Sequence, residues 1–279
     1  MNFQPVVPIS GVAGFRFMER TQDAQQSVFN KSPEIARDVA YFKENISAAT
    51  TAGALVGDYR LFRVALGAFG LEEEISKKYF LQKIIEEGTE DPDALSNRLV
   101  DPRYGDLAEA FGYGNLSGAQ VLQADFATKI TSAFEVRQFE VAVGQSDNAI
   151  RLAMNLKREI GGYANGAAPE TSGWFQIMGN TPLRTVFETA YGLPASVGAL
   201  NIDRQLELFR DKTTQLFGSA GVDVFNDAEN VDTLIRNYLA QDQIKSGPSA
   251  STPGFSALSL LQAGQLGPVS AANLLLSNS

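Results

Sequence analysis

Two runs of carboxylates contain the residue types that could carry out acid–base chemistry. The first run is Glu72, Glu73 and Glu74, and the second comprises five acidic residues: Glu86, Glu87, Glu90, Asp91 and Asp93. Two carboxylates facing each other in a cleft can serve as acid and base when their environments separate their pKa values. The first run, however, begins a predicted helix, where negative charge favours the helix dipole, and the second spans a helix end. We therefore expect both runs on the solvated surface, and a carboxylate-based enzyme is the least favoured of three functional hypotheses.

The residue types that most enzymes and metal sites use are missing. The sequence has no cysteine and no histidine, which excludes disulfides, thiolate nucleophiles, histidine-dependent triads and histidine-ligated metals. DPDALSNRL at 91–99 lacks the spacing of a calcium loop. GYGNLSG at 112–118 follows a predicted helix, whereas a dinucleotide-binding loop follows a strand. We therefore expect a protein that is not an enzyme, with no catalytic residues, no cofactor and no metal site.

Charge and hydropathy limit the kinds of partner. With a net charge of −9 and no cluster of basic residues, the chain should repel phosphate backbones, so we expect no nucleic acid as a partner. No apolar stretch approaches the roughly 18 residues that cross a membrane, so we expect no membrane insertion. The opening residues, MNFQPVVPISGVAGFRF, lack the basic and apolar regions of a secretory signal. We expect synthesis in the cytoplasm, and any export would use no cleaved signal peptide.

Helix signals dominate the elements that would position these residues. Ser32-Pro33 is typical of a helix start. A helix over about 73–87 is predicted to bury its apolar residues, which are Ile75, Tyr79, Leu81 and Ile84. The residues from 119 to 160 predict a long helical segment that breaks near 144 and begins again with an N-cap at Ser146. Strand signals are weak, and we expect an all-α fold.

The phrase Ala-aromatic-Gly-Leu occurs twice, at 68–71 and at 190–193. The two copies align from Asp58 and from Asn180, and each reads as a cap, an apolar helix face and a terminal glycine. An old duplication of a small helical unit would explain the match, and the alternative is that unrelated helices share this ending. The phrase therefore predicts a structural device and no chemical site.

The predicted organisation is a multi-helix bundle with two related helical modules around a long central helical segment. We assign an N-terminal arm (1–30), a helical domain (31–241) and a C-terminal tail (242–279). Modules at about 31–118 and 173–241 are joined by helices over 119–160 and by a Gly-, Ala- and Pro-rich loop over 161–173. The sequence leaves one domain or two open. We favour one, because the long segment should contact both halves.

Four regions together resemble a known bacterial family. They are AGFRFMERT with QQSVFNKSPEIARDVAYFKENI, DYRLFRVALGAFGLEEEISKKYFLQKIIEEGTEDPDALSNRLVDPRY, FEVRQFEVAVGQSDNAIRLAMNLKREI and PLRTVFETAYGLPASVGALNIDRQLELF. In this order they resemble the family called domain of unknown function 1217, over about residues 11–241. The resemblance implies a helical fold and a flagellar setting, since genes of this family are commonly found among flagellar genes. It implies no catalytic or binding residues.

The tail at 242–279 lies outside the resemblance. Its first part is rich in small residues and proline, which favours disorder, but many leucines follow. One interpretation is a segment that folds as a helix on a partner, and the alternatives are packing on its own domain and plain disorder. The candidate partner-binding residues are Phe255, Leu258, Leu261, Leu274 and Leu275.

Two further features are expected to be structural. Arg60 and Arg63 lie one turn apart and could hold an anion, but we expect them to pair with nearby glutamates. Trp174 is the one tryptophan, and we expect it to anchor the core of the second module and not a binding surface.

The leading functional hypothesis is a non-enzymatic, flagellum-associated protein that acts through contacts with a flagellar protein partner. In this hypothesis it is an exported or assembly-related component, made in the cytoplasm and exported to the flagellum without a cleaved signal. The alternative is a cytoplasmic adaptor or chaperone-like factor for flagellar assembly, which would never leave the cell. The class follows from the missing catalytic residue types, and the flagellar part is what the resemblance implies.

Overall fold

The computed structural model describes residues 3–166 and 168–247. Thirteen α-helices and five short 3₁₀ turns follow one another in these residues, with no strand among them, which confirms the all-α expectation. The five candidate partner-binding residues lie outside the described residues: Phe255, Leu258, Leu261, Leu274 and Leu275.

The helices fall into two runs on either side of a 3₁₀ turn at Gln120–Leu122. The first run is α1 (Gly11–Asn30), α2 (Pro33–Asn45), α3 (Ala52–Gly57), α4 (Tyr59–Phe69), α5 (Lys78–Glu87), α6 (Leu95–Arg98) and α7 (Arg103–Phe111). The second run is α8 (Phe126–Gly144), α9 (Asn148–Ala164), α10 (Ser172–Gly179), α11 (Thr181–Ala190), α12 (Ile202–Phe217) and α13 (Ala228–Ser246). The other 3₁₀ turns are Ile46–Ala48, Glu72–Glu74, Ala195–Ala199 and Val222–Asn226.

Helix α8 lies at the centre of the fold. It packs against α1, α2, α4 and α9, and it buries side chains on two sides, with Phe134 on one and Phe139 on the other. Buried apolar side chains form one continuous cluster that reaches from Phe15 in α1 to Leu239 in α13. The long helical segment expected from the sequence is therefore the element that both halves of the described chain share.

The N-terminal residues pack closely on the rest of the fold. Helix α1 buries Phe15, Met18 and Phe29. The extended residues before it are held by Gln25, whose Oε1 accepts a hydrogen bond from the Val6 amide at 2.7 Å and whose Nε2 donates to the Val6 carbonyl at 3.3 Å. A side-chain amide that pairs with one peptide group in both directions fixes the extended segment along the helix. The segment predicted as an arm is thus tied to the helical core.

The expected burial of Tyr79 is wrong, because its side chain is 91% exposed. A 3₁₀ turn occupies Glu72–Glu74, so α5 begins only at Lys78. This helix turns Leu81, Ile84 and Ile85 into the core. Two positions along a helix correspond to a rotation of about 200°, so a buried Leu81 directs Tyr79 to solvent.

The break in the central segment is confirmed, but the N-cap differs by one residue. Helix α8 ends at Gly144 and α9 begins at Asn148. The cap is Asp147, whose Oδ1 accepts a hydrogen bond from the Ile150 amide at 3.0 Å. Ser146 was the predicted cap, but the aspartate one residue later takes that role and adds a negative charge at the positive end of the helix.

Candidate functional site

The two copies of the repeated phrase begin with the same kind of cap. Asp58 ends α3 and caps α4, and its Oδ1 accepts hydrogen bonds from the amides of Arg60 at 2.9 Å and Leu61 at 3.1 Å. Asn180 ends α10 and caps α11, and its Oδ1 accepts from the Leu183 amide at 3.3 Å. One side chain therefore fixes the corner between a short helix and a longer one in each copy.

The copies also end alike. Gly70 has φ +69° and Gly192 has φ +64°, the left-handed conformation that glycine tolerates best. The next residue folds back in both cases: the Leu71 amide donates to the Leu66 carbonyl at 2.9 Å, and the Leu193 amide donates to the Glu188 carbonyl at 2.8 Å. These bonds form the helix ending predicted from the glycine and the leucine.

A tyrosine two helices before each capped helix, in α2 or in α9, forms a hydrogen bond with the cap. The Tyr41 hydroxyl donates to Asp58 Oδ2 at 2.6 Å, and Asn180 Nδ2 donates to the Tyr163 hydroxyl at 3.1 Å. Both tyrosines precede their caps by 17 positions, so the offset of 122 positions between the copies extends back into α2 and α9. Extending the sequence alignment backwards without a gap would have found this pair.

Helix packing repeats in the same order. Helix α2 packs against α4 as α9 packs against α11, and α3 packs against α4 as α10 packs against α11. Helix α4 then lies against α8, and α11 against α13. Helix α8 therefore closes the first module and also pairs with α9. By its packing α9 is the first helix of the second module, which thus begins before the predicted bound of 173. The two modules are related in their elements, caps and packing.

A group of buried and partly buried charges joins the modules, and we call it the central charge cluster. Glu159 lies at its middle: one oxygen accepts from Arg137 and, at 3.0 Å, from Arg158 Nη1, and the other accepts from Asn180 Nδ2 at 3.3 Å. Burial alone would raise the pKa of Glu159, but Arg137 and Arg158 hold it below its ordinary value. The cluster thus ties α8 and α9 to the cap of the second copy.

A second carboxylate completes this cluster. Glu140 on α8 accepts two parallel hydrogen bonds from Arg158, both of 2.8 Å. Desolvation alone would lower the pKa of Arg158, but these bonds and the negative charge of Glu159 raise it. Paired, bidentate geometry of this kind allows charges to remain buried, and it fixes α9 against α8.

Asp106 lies at the edge of the central charge cluster, in the first turn of α7. Asp106 is partly accessible to solvent, but the surrounding protein desolvates its carboxyl group. This desolvation and the negative charges of Glu159 and Glu109 raise its pKa to about 6. Asp106 and Glu159 are therefore neighbouring carboxylates with separated pKa values, the arrangement that acid–base catalysis uses. Glu159 is fully engaged with its arginine and asparagine partners, however, so its geometry is that of a structural anion.

A cleft of about 440 Å³, which we call the inter-module cleft, opens beside the cluster. It lies between the run Glu72–Glu74 and the start of α11. Glu72 Oε1 accepts a hydrogen bond from Gln138 at 2.7 Å, and burial raises the pKa of Glu72, with Arg137 offsetting part of the effect. A solvated surface was expected for this run. Glu73 is exposed, but Glu72 is half-buried because the 3₁₀ turn directs it towards α8.

The second acidic run supports local backbone. Glu87 accepts a hydrogen bond from the Leu95 amide at 2.6 Å, and Glu90 accepts from the Leu116 amide at 2.9 Å. Asp91 accepts from the Asp93 amide at 2.9 Å. Carboxylates used in this way order the loops around α6 and do not converge on a reaction site.

The other singled-out residues are structural. Arg63 pairs with Glu34 at 3.5 Å, as expected, and Arg60 and Arg63 also share Asp38, whose side chain is 7% exposed and which was not expected as a partner. Asp38 lies on the face of α2 that packs against α4, next to the two arginines. Trp174 is fully buried and donates from Nε1 to the Ala220 carbonyl at 2.8 Å, which confirms its place in the core.

Residues 68–231 match a family described as "Protein of unknown function (DUF1217)". The match covers more than half of the chain. The chain belongs to the DUF1217 family. This confirms the resemblance drawn from the sequence, whereas the flagellar setting stays a prediction. No curated protein matches this DUF1217 chain.

A solved structure is similar to this DUF1217 protein. It is the X-ray structure of an Agrobacterium tumefaciens protein determined as a structural-genomics target, with a TM-score of 0.71 and 23% sequence identity. The match covers 88% of this chain and 100% of the other. At this identity the likeness concerns the fold alone. Among residues 3–166 and 168–247, no group of acidic side chains is arranged to hold a metal ion, and no helix is long and apolar enough to cross a membrane.

Proposed function

We propose that this DUF1217 protein is a non-enzymatic, flagellum-associated protein that acts through protein contacts. The observation that supports the contact role best is Leu116, whose side chain is 98% exposed in the loop after α7. A second leucine, Leu122, is 69% exposed in the 3₁₀ turn that follows. Single exposed leucines are common, so the support comes from the way in which this loop is held.

The loop that carries Leu116 is braced on both sides. Asn115 accepts a hydrogen bond from the Thr89 amide at 2.8 Å and donates to the Thr89 hydroxyl at 3.2 Å. Gly114 packs so closely on the backbone of 86–88 that a Cβ there would lie 2.3 Å from the Glu86 carbonyl oxygen. A side chain presented from a fixed backbone loses little conformational entropy on binding. Leu116 therefore has the properties of a preorganised anchor.

The charges beside Leu116 indicate the kind of partner. Glu90 hydrogen-bonds to its amide. The exposed carboxylates Glu86 and Glu109 lie near the ends of α5 and α7, and Asp91 lies in the loop between α5 and α6. Charge complementarity steers association and suppresses wrong partners. The surface fits a protein whose apolar pocket is bordered by lysine or arginine.

The flagellar part of the proposal is supported by family membership together with the flagellar setting that the resemblance implies. An exported or assembly-related component would be recovered at the flagellum or outside the cell. The same contact surface would also suit an adaptor for flagellar assembly that stays in the cytoplasm. Location and partner decide between them.

The contact role is tested by Leu116→Ser, expressed from the native locus in the flagellated host. We expect the folded variant to associate at least tenfold less with the flagellar fraction, because anchor side chains carry about 2 kcal/mol or more of binding energy. The matched control is Leu216→Ser, at a leucine that is 45% exposed at the far end of α12. Equal association of both variants and the wild type would contradict the role of Leu116.

A further inference from the structure

A groove lies between α9 and the start of α13, and we call it the α9–α13 groove. Its volume is about 430 Å³, and its lining is mostly apolar. The apolar part of the lining comes from α9, from the 3₁₀ turn before α13 and from α13 itself: Ile160, Gly161, Phe225, Ala228 and Val231. Open apolar surfaces of this kind commonly mark places where another segment docks.

Two consecutive glycines, Gly161 and Gly162, follow Ile160 in α9. In a helix each glycine costs about 1 kcal/mol relative to alanine, and glycine is required only where φ is positive or where another group approaches closely. Neither glycine has a positive φ, and no described residue would lie within 4 Å of a Cβ at either position. At Gly161, which lines the groove, the missing side chain leaves room for a segment that lies beyond the described residues.

The charges around the groove do not call for a charged occupant. Lys157 forms an ion pair with Glu19, and Asp232 forms one with Arg16. The third charged residue of the lining, Glu229, is exposed to solvent. An uncharged segment would therefore bury apolar surface here without desolvating a charge of its own.

The chain itself contains an uncharged apolar segment after α13. Residues 246–279 include no Asp, Glu, Lys or Arg. Phe255, Leu258 and Leu261 recur at every third position, a spacing that would place them on one side of a helix. Burial of each of these side chains would contribute about 2 kcal/mol, so the segment gains most from an apolar surface within its reach.

The length of chain after α13 matches the distance back to the groove. From Val231 to Gly247 the helix rises about 24 Å. Gly247 has φ +59°, which ends the helix and lets the chain leave its axis. From Gly247 to Phe255 an extended chain spans at most about 28 Å. Phe255 is therefore the first large apolar residue after α13 that can return to Val231.

We propose that the α9–α13 groove binds residues 255–261 of the same chain, with Phe255, Leu258 and Leu261 directed to its apolar lining. The small residues and prolines of 248–254 form the connection. Because the segment is attached covalently, its effective concentration at the groove is high, and a modest apolar contact is enough to hold it. This inference goes beyond the proposed function, since the contact needs no partner protein.

The absence of cysteine from the sequence allows a test by disulfide crosslinking in the full chain. Ser259→Cys is combined either with Ala228→Cys, at the groove, or with Ala240→Cys, at an exposed position of α13 nearer to Gly247. Under mild oxidation of dilute protein, we expect the disulfide within one chain to form about tenfold faster with Ala228→Cys, because docking raises the local thiol concentration. A chain end that does not dock would reach the nearer position at least as readily.

Two matched glycine variants locate the docking site. Gly161→Leu fills the groove and should lower the crosslinking rate with Ala228→Cys to that with Ala240→Cys. Gly162→Leu also places its side chain in open space, but outside the lining, and should leave the rate unchanged. Circular dichroism should show both variants folded, because leucine favours a helix more than glycine does. Equal rates at the two cysteine positions, equal effects of the two glycine variants, or disulfides formed only between chains would overturn the proposal.

Discussion

At the scale of single residues, Glu159 connects helices that are distant in the sequence, and no local sequence pattern indicates these contacts. Its partners Arg137 and Asn180 are 22 and 21 positions away in the sequence. No motif spacing marks this group of three residues, because polar side chains from different helices meet only after those helices have packed. The sequence predicted the helical segment that contains Arg137 and Glu159 and the cap at Asn180, but not that these side chains converge.

The first prediction concerns Glu159→Gln. Because a buried anion between two arginines is removed, we expect a loss of about 3 kcal/mol in the free energy of unfolding at pH 7. The pKa of Glu159 is lowered in the folded state, so its contribution is present at neutral pH and is lost as the pH falls through that lowered pKa. Urea denaturation of variant and wild type between pH 3 and 7 would show the difference shrinking with acidification.

A matched control separates this effect from the loss of any ion pair. Glu207 pairs with Arg204, and both side chains are more than half exposed. Exposed pairs contribute little, so Glu207→Gln should change the free energy of unfolding by less than about 0.5 kcal/mol. If the two variants were equally stable, the central charge cluster would not have the structural role assigned to it.

At the scale of elements, the sequence predicted best where one residue decides the local geometry. Asp58, Asn180 and Gly70 were assigned as helix ends and serve as such. The prediction was wrong for Ser146, because a neighbouring residue is the N-cap. It was wrong for Tyr79, because a 3₁₀ turn delays the start of the helix and changes which residues face the core. Periodicity predicts the spacing of the residues that a helix buries, but which residues face the core depends on where the helix begins.

The caps give a prediction that depends on their one chemical difference. Asp58→Asn should cost less than about 1 kcal/mol, because asparagine is an equally good cap and its Nδ2 can donate to the Tyr41 hydroxyl, which then becomes the acceptor. Asn180→Asp should cost clearly more, about 2 kcal/mol, because a carboxylate would replace the amide that donates to Glu159 at 3.3 Å. Chemical denaturation of both variants provides the measurement. Equal costs would show that the cap of the second copy is not coupled to the cluster.

The terminal glycines give a second paired prediction. Alanine at either position must adopt a positive φ, which costs about 1 kcal/mol. At Gly70 the added Cβ would also lie 2.8 Å from Arg137 Nη1, whereas at Gly192 it would meet open space. Gly70→Ala should therefore lower the thermal midpoint more than Gly192→Ala. The reverse order would contradict the packing of the first module against α8.

At the scale of the whole molecule, two related modules share one central helix. The repeat of 122 positions could be seen in the sequence, and it predicted related elements. The sequence did not predict that α8 would close one module and begin the contacts of the other, or that Gln25 would hold the extended N-terminal residues. Both features are contacts between distant segments, which local patterns do not specify.

At this scale the proposed function rests on surfaces. The described residues offer a braced Leu116 with acidic neighbours, which favours a partner with basic and apolar side chains. The family identifies relatives without describing what they do. Partner and location are therefore the quantities that a direct measurement must supply.

Location tests the central claim most directly. The protein, tagged at its native locus, is followed in cytoplasm, culture supernatant and purified basal bodies, with and without an active flagellar export gate. The account predicts recovery in the basal body or outside the cell, dependent on the gate. Recovery in the cytoplasm alone, with a flagellar export substrate bound, would favour the adaptor. Recovery in the cytoplasm alone with no flagellar protein bound would contradict the account.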